Sequence, residues 1–258
     1  MARRTIVPAL EDLVPPAVPY TMSVYGREPP KLLFKTATGE TETVLSSTSV
    51  QQGCNLGPLC YSAGLMPLLR AFKANMPVVG AKIIAFIDDL VVTLPENHAT
   101  DPAAVEAVTT WLQAHMQPLG VVLNNKKSTV LFPQGTDVTG WPEKDQRTLE
   151  RTKLAVAEAG MRIVGVPVGG SDYIRQSAHD IACGKPAALL KELASLDEAQ
   201  SSLQILRFSA ATRPNFLLRA LPPALTAPAA STFDKLLERT LLTILNGPGP
   251  LGEHSLPG

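Results

Sequence analysis

The sequence predicts an α+β fold: an antiparallel sheet with packed helices over about the first 170 residues, then an all-helical region. Three observations carry this. β-rich runs flank short turns at Lys31–Lys35 with Glu42–Leu45, and at Lys82–Phe86 with Leu90–Leu94. Between such pairs, apolar residues recur at helical spacing, as in Val105, Val108, Trp111, Leu112 and Leu119. From Ile174 onward the β-rich runs give way to helical ones at 187–196, 199–208 and 231–245.

Taken in order, residues 2–13 set Ile6, Leu10 and Leu13 on one helical face, and Pro15-Pro16 ends that helix. Lys31–Lys35 and Glu42–Leu45 form a hairpin around a turn with Gly39. Ser46 to Lys73 begins polar and glycine-bearing. It continues as a helix from Pro58, since proline suits a first helical turn, and Pro67 is expected to kink it. Lys82–Phe86 and Leu90–Leu94 bracket Ile87-Asp88-Asp89, a tight hairpin with two carboxylates at its tip. Asp101-Pro102 opens the next helix and Gly120 closes it. Val121–Leu123 and Thr129–Phe132 read as strands around the basic turn Asn124 to Ser128. Pro142 to Ala159 reads as a charged amphipathic helix, and Arg162 to Val168 as a short strand ending in Gly169-Gly170. Pro214, Pro222 and Pro223 break the helical part, and the Gly/Pro-rich tail is expected to be disordered. The boundary near 170–185 gives domains 1–175 and 176–246, with a tail at 247–258.

Composition bounds the function. The chain has 258 residues, 45% hydrophobic, enough for a packed core in one large or two small domains. Lys+Arg and Asp+Glu both number 23, which excludes a strongly basic nucleic-acid coat protein but leaves room for a local basic groove. Aromatics make up 5%, too few for a dense base-stacking platform. Three cysteines without a CxxC pair argue against a disulfide framework or a Cys-rich zinc site. The four histidines form no zinc-protease spacing. No apolar run reaches the roughly 18 residues of a membrane helix, and a secretory leader is absent, so an intracellular setting, cytoplasm or nucleus, is expected. Arg147, Arg151, Lys153 and Arg162 interleave with Glu143, Asp145, Glu150 and Glu158, the pattern of a solvated face.

Asp88-Asp89 is the sharpest chemical feature. Adjacent carboxylates repel unless a cation neutralises them, and Mg²⁺ favours one or two carboxylates completed by water and substrate phosphate. Alone, the dipeptide is more often an ordinary solvated turn, since Asp favours turns. Gly53 lets a backbone approach a ligand closely, because glycine has no Cβ, and Gly57-Pro58 opens a helix whose N-terminus favours anions. Lys126 or Lys127 could meet a phosphate as a point charge.

Four segments in order resemble the reverse transcriptases of retrotransposons lacking long terminal repeats. FIDD, Phe86 to Asp89, resembles the Tyr-x-Asp-Asp hairpin. SVQQGCNLGPL, Ser49 to Leu59, resembles GVxQGDPLGPxLF; GVVLNNKKSTV, Gly120 to Val130, resembles GLxLNxxKSxxL; RIVGVPVG, Arg162 to Gly169, resembles LGxPIG. Cys54 stands where the pattern carries Asp, and Phe86 replaces Tyr with loss of the hydroxyl alone.

The resemblance implies part of a polymerase palm followed by a helical thumb-like region. It implies RNA-directed DNA polymerisation by two-metal nucleotidyl transfer, with Mg²⁺ or Mn²⁺ on Asp88 and Asp89 as catalytic metal ligands. Gln51, Gln52, Gly53, Gly57, Pro58 and Lys127 would face the nucleotide and template, and Val164, Gly165 and Val166 would support the primer. The partners implied are an RNA template, a DNA primer and a dNTP, with no membrane. The family's site has a third carboxylate on an earlier strand, ahead of the segment resembling Arg4 to Leu10, and Asp12 does not substitute for it. The expectation is therefore an N-terminally truncated domain lacking the first catalytic Asp and the fingers. It would be inactive alone, with the upstream part of the polymerase as a further partner. The alternative is a non-catalytic retroelement remnant, at most a nucleic-acid or protein interaction module. An unrelated metal-dependent phosphatase or nuclease explains Asp88-Asp89 but not the other three segments.

Overall fold

The computed structural model describes residues 1–246 apart from positions 2, 27, 28, 30, 47, 49, 51, 52 and 197. The tail at 247–258, expected to be disordered, lies outside the described residues. The chain divides into two compact units, Met1–Val156 and Ala157–Gly258. This packing division comes earlier than the composition shift at 170–185.

In the first unit, Arg3–Leu13 (α1) and Val18–Tyr25 (α2) precede a hairpin of Lys31–Lys35 (β1) and Thr41–Leu45 (β2). Gly57–Ala74 (α3) follows and runs through Pro67. Then come the hairpin Lys82–Phe86 (β3) and Asp89–Thr93 (β4), and the helix Pro102–Met116 (α4). Asp101 caps α4 as its pattern predicts, its carboxylate accepting from the Ala103 amide at 2.9 Å. Gly120 is left-handed, with φ 65°. Thr129–Leu131 (β5), Glu143–Thr152 (α5) and Ala155–Ala157 (β6) complete this part, β5 pairing with β6.

Two packed helices position the β3–β4 hairpin. Leu65, Leu68 and Phe72 of α3 meet Val108, Leu112 and Met116 of α4 in one core, and Ile83, Ala85, Leu90 and Val92 lay the hairpin's inner face on it. The pleat sends alternate residues outward, so Ile84 and Phe86 are exposed. A second cluster joins Ile6, Ala9 and Leu10 of α1 to Cys60 and Ala63 of α3.

In the second unit, Gly160–Ile163 (β7) and Val166–Gly169 (β8) form a hairpin. Among the described residues the helices Ser171–His179 (α6), Lys185–Ser195 (α7), Ala199–Ile205 (α8), Asn215–Ala220 (α9) and Pro223–Asn246 (α10) follow. π-helical turns at Asp180–Gly184 and Leu206–Ala210 interrupt the run. Leu190, Leu193, Leu206, Leu217 and Phe233 centre its core.

The structure is α+β, but it departs from the sequence reading in four places. The strands form two-stranded pairs rather than one broad sheet among the described residues. Val121–Leu123 is irregular rather than a strand. The helix expected over Pro142 to Ala159 stops at Thr152, where Lys153 turns left-handed at φ 57° and β6 begins. Arg162 to Val168 is not one strand. It folds back at Val164-Gly165, because Gly165 adopts φ 83° and Ile163 pairs with Val166. Among the described residues no helix is long and apolar enough to cross a membrane.

Candidate functional site

The ladder of β3 and β4 closes at Phe86 opposite Asp89, leaving Ile87 and Asp88 as the two turn residues. Ile87 has φ 54°, and Asp88 is not among the positive-φ residues. A positive φ at the first central residue alone is the type II′ pattern, which matches the twist of a hairpin and favours glycine there. A β-branched residue in that place stores strain of about 1–3 kcal/mol. The tip is thus a strained bend. Asp88 and Asp89 are both exposed on it, and among the described residues no hydrogen bond or ion pair occupies either carboxylate. Asp89 lies opposite Phe86, and the pleat puts it on the exposed face with Phe86, Ile84 and Val91.

The charge of Asp88 is felt at Tyr61 in α3. Burial raises the Tyr61 phenol above its ordinary range, and the negative charge of Asp88 pushes it further the same way. Tyr61 stands one turn into α3, four residues after Gly57.

The segment that opens α3 is built as a turn feeding a helix. Gly53 has φ 86°, and a side chain would meet open space there. The Gly57 amide donates to the Cys54 carbonyl at 2.9 Å, and Pro58 occupies the first turn. Gln51 and Gln52 lie outside the described residues. The Cys54 thiol is pulled below its ordinary range. A hydrogen bond from Tyr25 is the largest cause, burial opposes it, and the amides of Leu56 and Gly57 add to the lowering.

Lys127 sits in the exposed turn after Asn124, whose carbonyl accepts from the amides of Lys127 and Ser128 at 3.0 and 2.9 Å. Among the described residues no hydrogen bond or ion pair ties Lys127 to Asp88 or Asp89. Val164 and Gly165 form the turn of the β7–β8 hairpin, with φ 50° and 83°, and Val166 starts the return strand. They belong to the second unit. Sequence reading missed Tyr61, Tyr25 and the strained Ile87. Tyr61 carries a signal at one helical turn from Gly57; the other two depend on tertiary and backbone geometry.

The carboxylates of Asp88 and Asp89 are hard oxygen donors of the kind Mg²⁺ and Mn²⁺ take, ions that complete their shells with water and substrate phosphate. Among the described residues no three His, Cys, Asp or Glu side chains converge to hold a metal by themselves.

The family sequence model described as reverse transcriptase (RNA-dependent DNA polymerase) matches residues 14–168. This chain belongs to that family of nucleic-acid polymerases. It is 30% identical over 205 residues to the retrotransposable element SLACS 132 kDa protein of Trypanosoma brucei gambiense, covering 79% of this chain and 16% of that relative. With the four ordered segments, this makes it a domain of the type found in retrotransposons lacking long terminal repeats. The chain spans well under a fifth of that relative's length. No solved structure matches it.

Proposed function

We propose that Asp88 and Asp89 hold the divalent metal for nucleotidyl transfer in RNA-directed DNA synthesis. The observation that carries this is their display at one strained hairpin tip, Asp88 in the two-residue turn and Asp89 at the first position of β4, within the stretch matched to the family. When bound, the metal would neutralise charge on the transferring phosphoryl group. Gly53, Gly57 and Pro58, with Gln51 and Gln52, would line the nucleotide and template side. Lys127 would meet a phosphate, and the Val164–Val166 turn would support a primer end. Residues 1–175 act as a palm part and 176–246 as a thumb-like helical part. The work is done on nucleic acid inside the cell, in cytoplasm or nucleus.

Two carboxylates do not supply the three that the family's chemistry uses, so primer extension by these 258 residues alone is expected at background.

Iron mapping tests the site without relying on turnover. Fe²⁺ replaces Mg²⁺, and ascorbate with peroxide cuts the backbone beside the bound ion. Cleavage is expected at 86–91 and near the head of α3, and it is lost in Asp88→Asn with Asp89→Asn. Cleavage elsewhere, or unchanged in that variant, overturns the reading and favours a non-catalytic remnant.

A further inference from the structure

Every residue of the β1–β2 ribbon is exposed, so neither of its faces lies on a core. Leu32, Phe34 and Val44 share one open face, and Leu33 and Leu45 the other, Leu33 at 68% exposure. A two-stranded ribbon by itself is marginal in water, and further strands are what stabilise such a sheet. Among the described residues no third strand joins this one.

The turn fixes which backbone groups face outward. The Thr36 amide donates to the Glu40 carbonyl at 2.9 Å, and the Gly39 amide donates to the Thr36 carbonyl at 3.0 Å. An antiparallel ladder alternates from that bonded pair onward. Phe34 with Glu42 and Leu32 with Val44 exchange hydrogen bonds, whereas Lys35 with Thr41, Leu33 with Thr43 and Lys31 with Leu45 do not. The N–H and C=O groups of Thr41, Thr43 and Leu45 therefore point off the free edge of β2. Those of Lys31, Leu33 and Lys35 point off the free edge of β1.

The two edges differ in what they would meet on a second copy. Antiparallel pairing of β2 with β2, centred on Thr43, sets Thr43 opposite Thr43, Thr41 opposite Leu45 and Glu42 opposite Val44. Each outward N–H then meets an outward C=O, and no like charges face each other. The same arrangement at β1, centred on Leu33, sets Lys31 opposite Lys35 on both sides of the axis, which repels. Lysine on an edge strand guards against pairing, and β2 carries no lysine, arginine or proline. Pairing β2 with β1 of another copy would be head-to-tail and would run on into open filaments rather than close.

We propose that the free edge of β2 is a self-association site, pairing antiparallel with β2 of a second copy of this chain about a two-fold axis at Thr43. The resulting four-stranded sheet carries Leu32, Phe34 and Val44 of both copies on one face. The ribbon alone supports this, independently of any metal role for Asp88 and Asp89.

The test is sedimentation equilibrium of the full chain from about 1 μM to 1 mM, the span in which a small transient interface forms. A monomer–dimer equilibrium is expected. Thr43→Pro removes an outward N–H and no bond of the ribbon, and Thr43→Lys sets two cations face to face across the axis. Each should weaken dimerisation at least about tenfold. Thr43→Val should retain it, and Leu33→Lys, on the other edge, should leave it unchanged. Thr43→Lys alters the side chain alone, so it decides the matter should the proline variant fail to fold, which tryptophan fluorescence reports. Amide hydrogen exchange read by NMR gives the register: concentrating the protein should slow Thr41, Thr43 and Leu45 and leave Lys31, Leu33 and Lys35 fast. A monomer at every concentration overturns the proposal, as do dimers that survive Thr43→Lys. Slowing at the β1 edge, or assemblies larger than a dimer, overturns it equally.

Discussion

Replacing Ile87 by Gly and by Ala separates backbone strain from side-chain packing at the tip. Ile87 is 37% exposed, so either change gives up about 1–2 kcal/mol of apolar burial. The two variants share that loss and differ in backbone. Alanine at φ 54° keeps a left-handed cost of about 1–2 kcal/mol, which glycine escapes. Glycine in turn gives up about 0.5–1 kcal/mol of chain entropy relative to alanine. The difference is about 0.5–1 kcal/mol in favour of Ile87→Gly. At an ordinary negative φ the sign would reverse. The assay is urea unfolding followed by tryptophan fluorescence, because Trp111 and Trp141 both lie in the first unit and report on it alone. At a slope of about 2 kcal/mol/M the midpoints should differ by about 0.3–0.5 M. An Ile87→Ala midpoint equal to or above that of Ile87→Gly refutes the strained turn.

Three further outcomes follow from other parts of the molecule. The alkylation rate of Cys54 should rise with pH at a midpoint below that of an ordinary thiol, and Tyr25→Phe should move the midpoint up; an unmoved midpoint contradicts the Tyr25 contact. At Asp101, burial works against ionisation, but hydrogen bonds from His98 and the amides of Ala103 and Ala104 outweigh it and lower its pKa. Its stabilisation is therefore full above the unfolded carboxylate range and is lost as pH falls through the lower folded value. Asp101→Ala should cost about 1 kcal/mol at neutral pH and flatten the acid side of the first unit's stability profile, measured by tryptophan fluorescence. Gly160→Ala would set a Cβ against the ring of Tyr173 in α6. It should cost about 1–3 kcal/mol and speed hydrogen exchange along β7 and β8, and native exchange rates would show that the ring yields freely.

The hairpin tip was legible because two β-rich runs surround a short polar turn, leaving little freedom in where the chain reverses. The Asp101 cap and the left-handed Gly120 were equally readable, since each depends on neighbours within a few residues. The β7–β8 turn was not, because RIVGVPV is apolar throughout and a lone glycine was its one mark. The stop of α5 at Lys153 has no glycine or proline to announce it. The partnership of Tyr61 with Asp88 and of Tyr25 with Cys54 joins residues 27 and 29 positions apart, a relation set by helix packing rather than local pattern. The positive φ of Ile87 shows the same limit from the other side: hairpin geometry demanded it, and the residue type argued against it.

Paramagnetic relaxation by Mn²⁺ reads the central claim at single-residue level. Amide signals of 86–90 should broaden first, at roughly millimolar ion, as suits two carboxylates without substrate phosphate. Added dNTP should sharpen the dose dependence, and Asp88→Asn should remove the effect at the tip. Broadening spread evenly over the surface carboxylates, with the tip no different from Glu143 or Asp172, would contradict a metal role for Asp88 and Asp89.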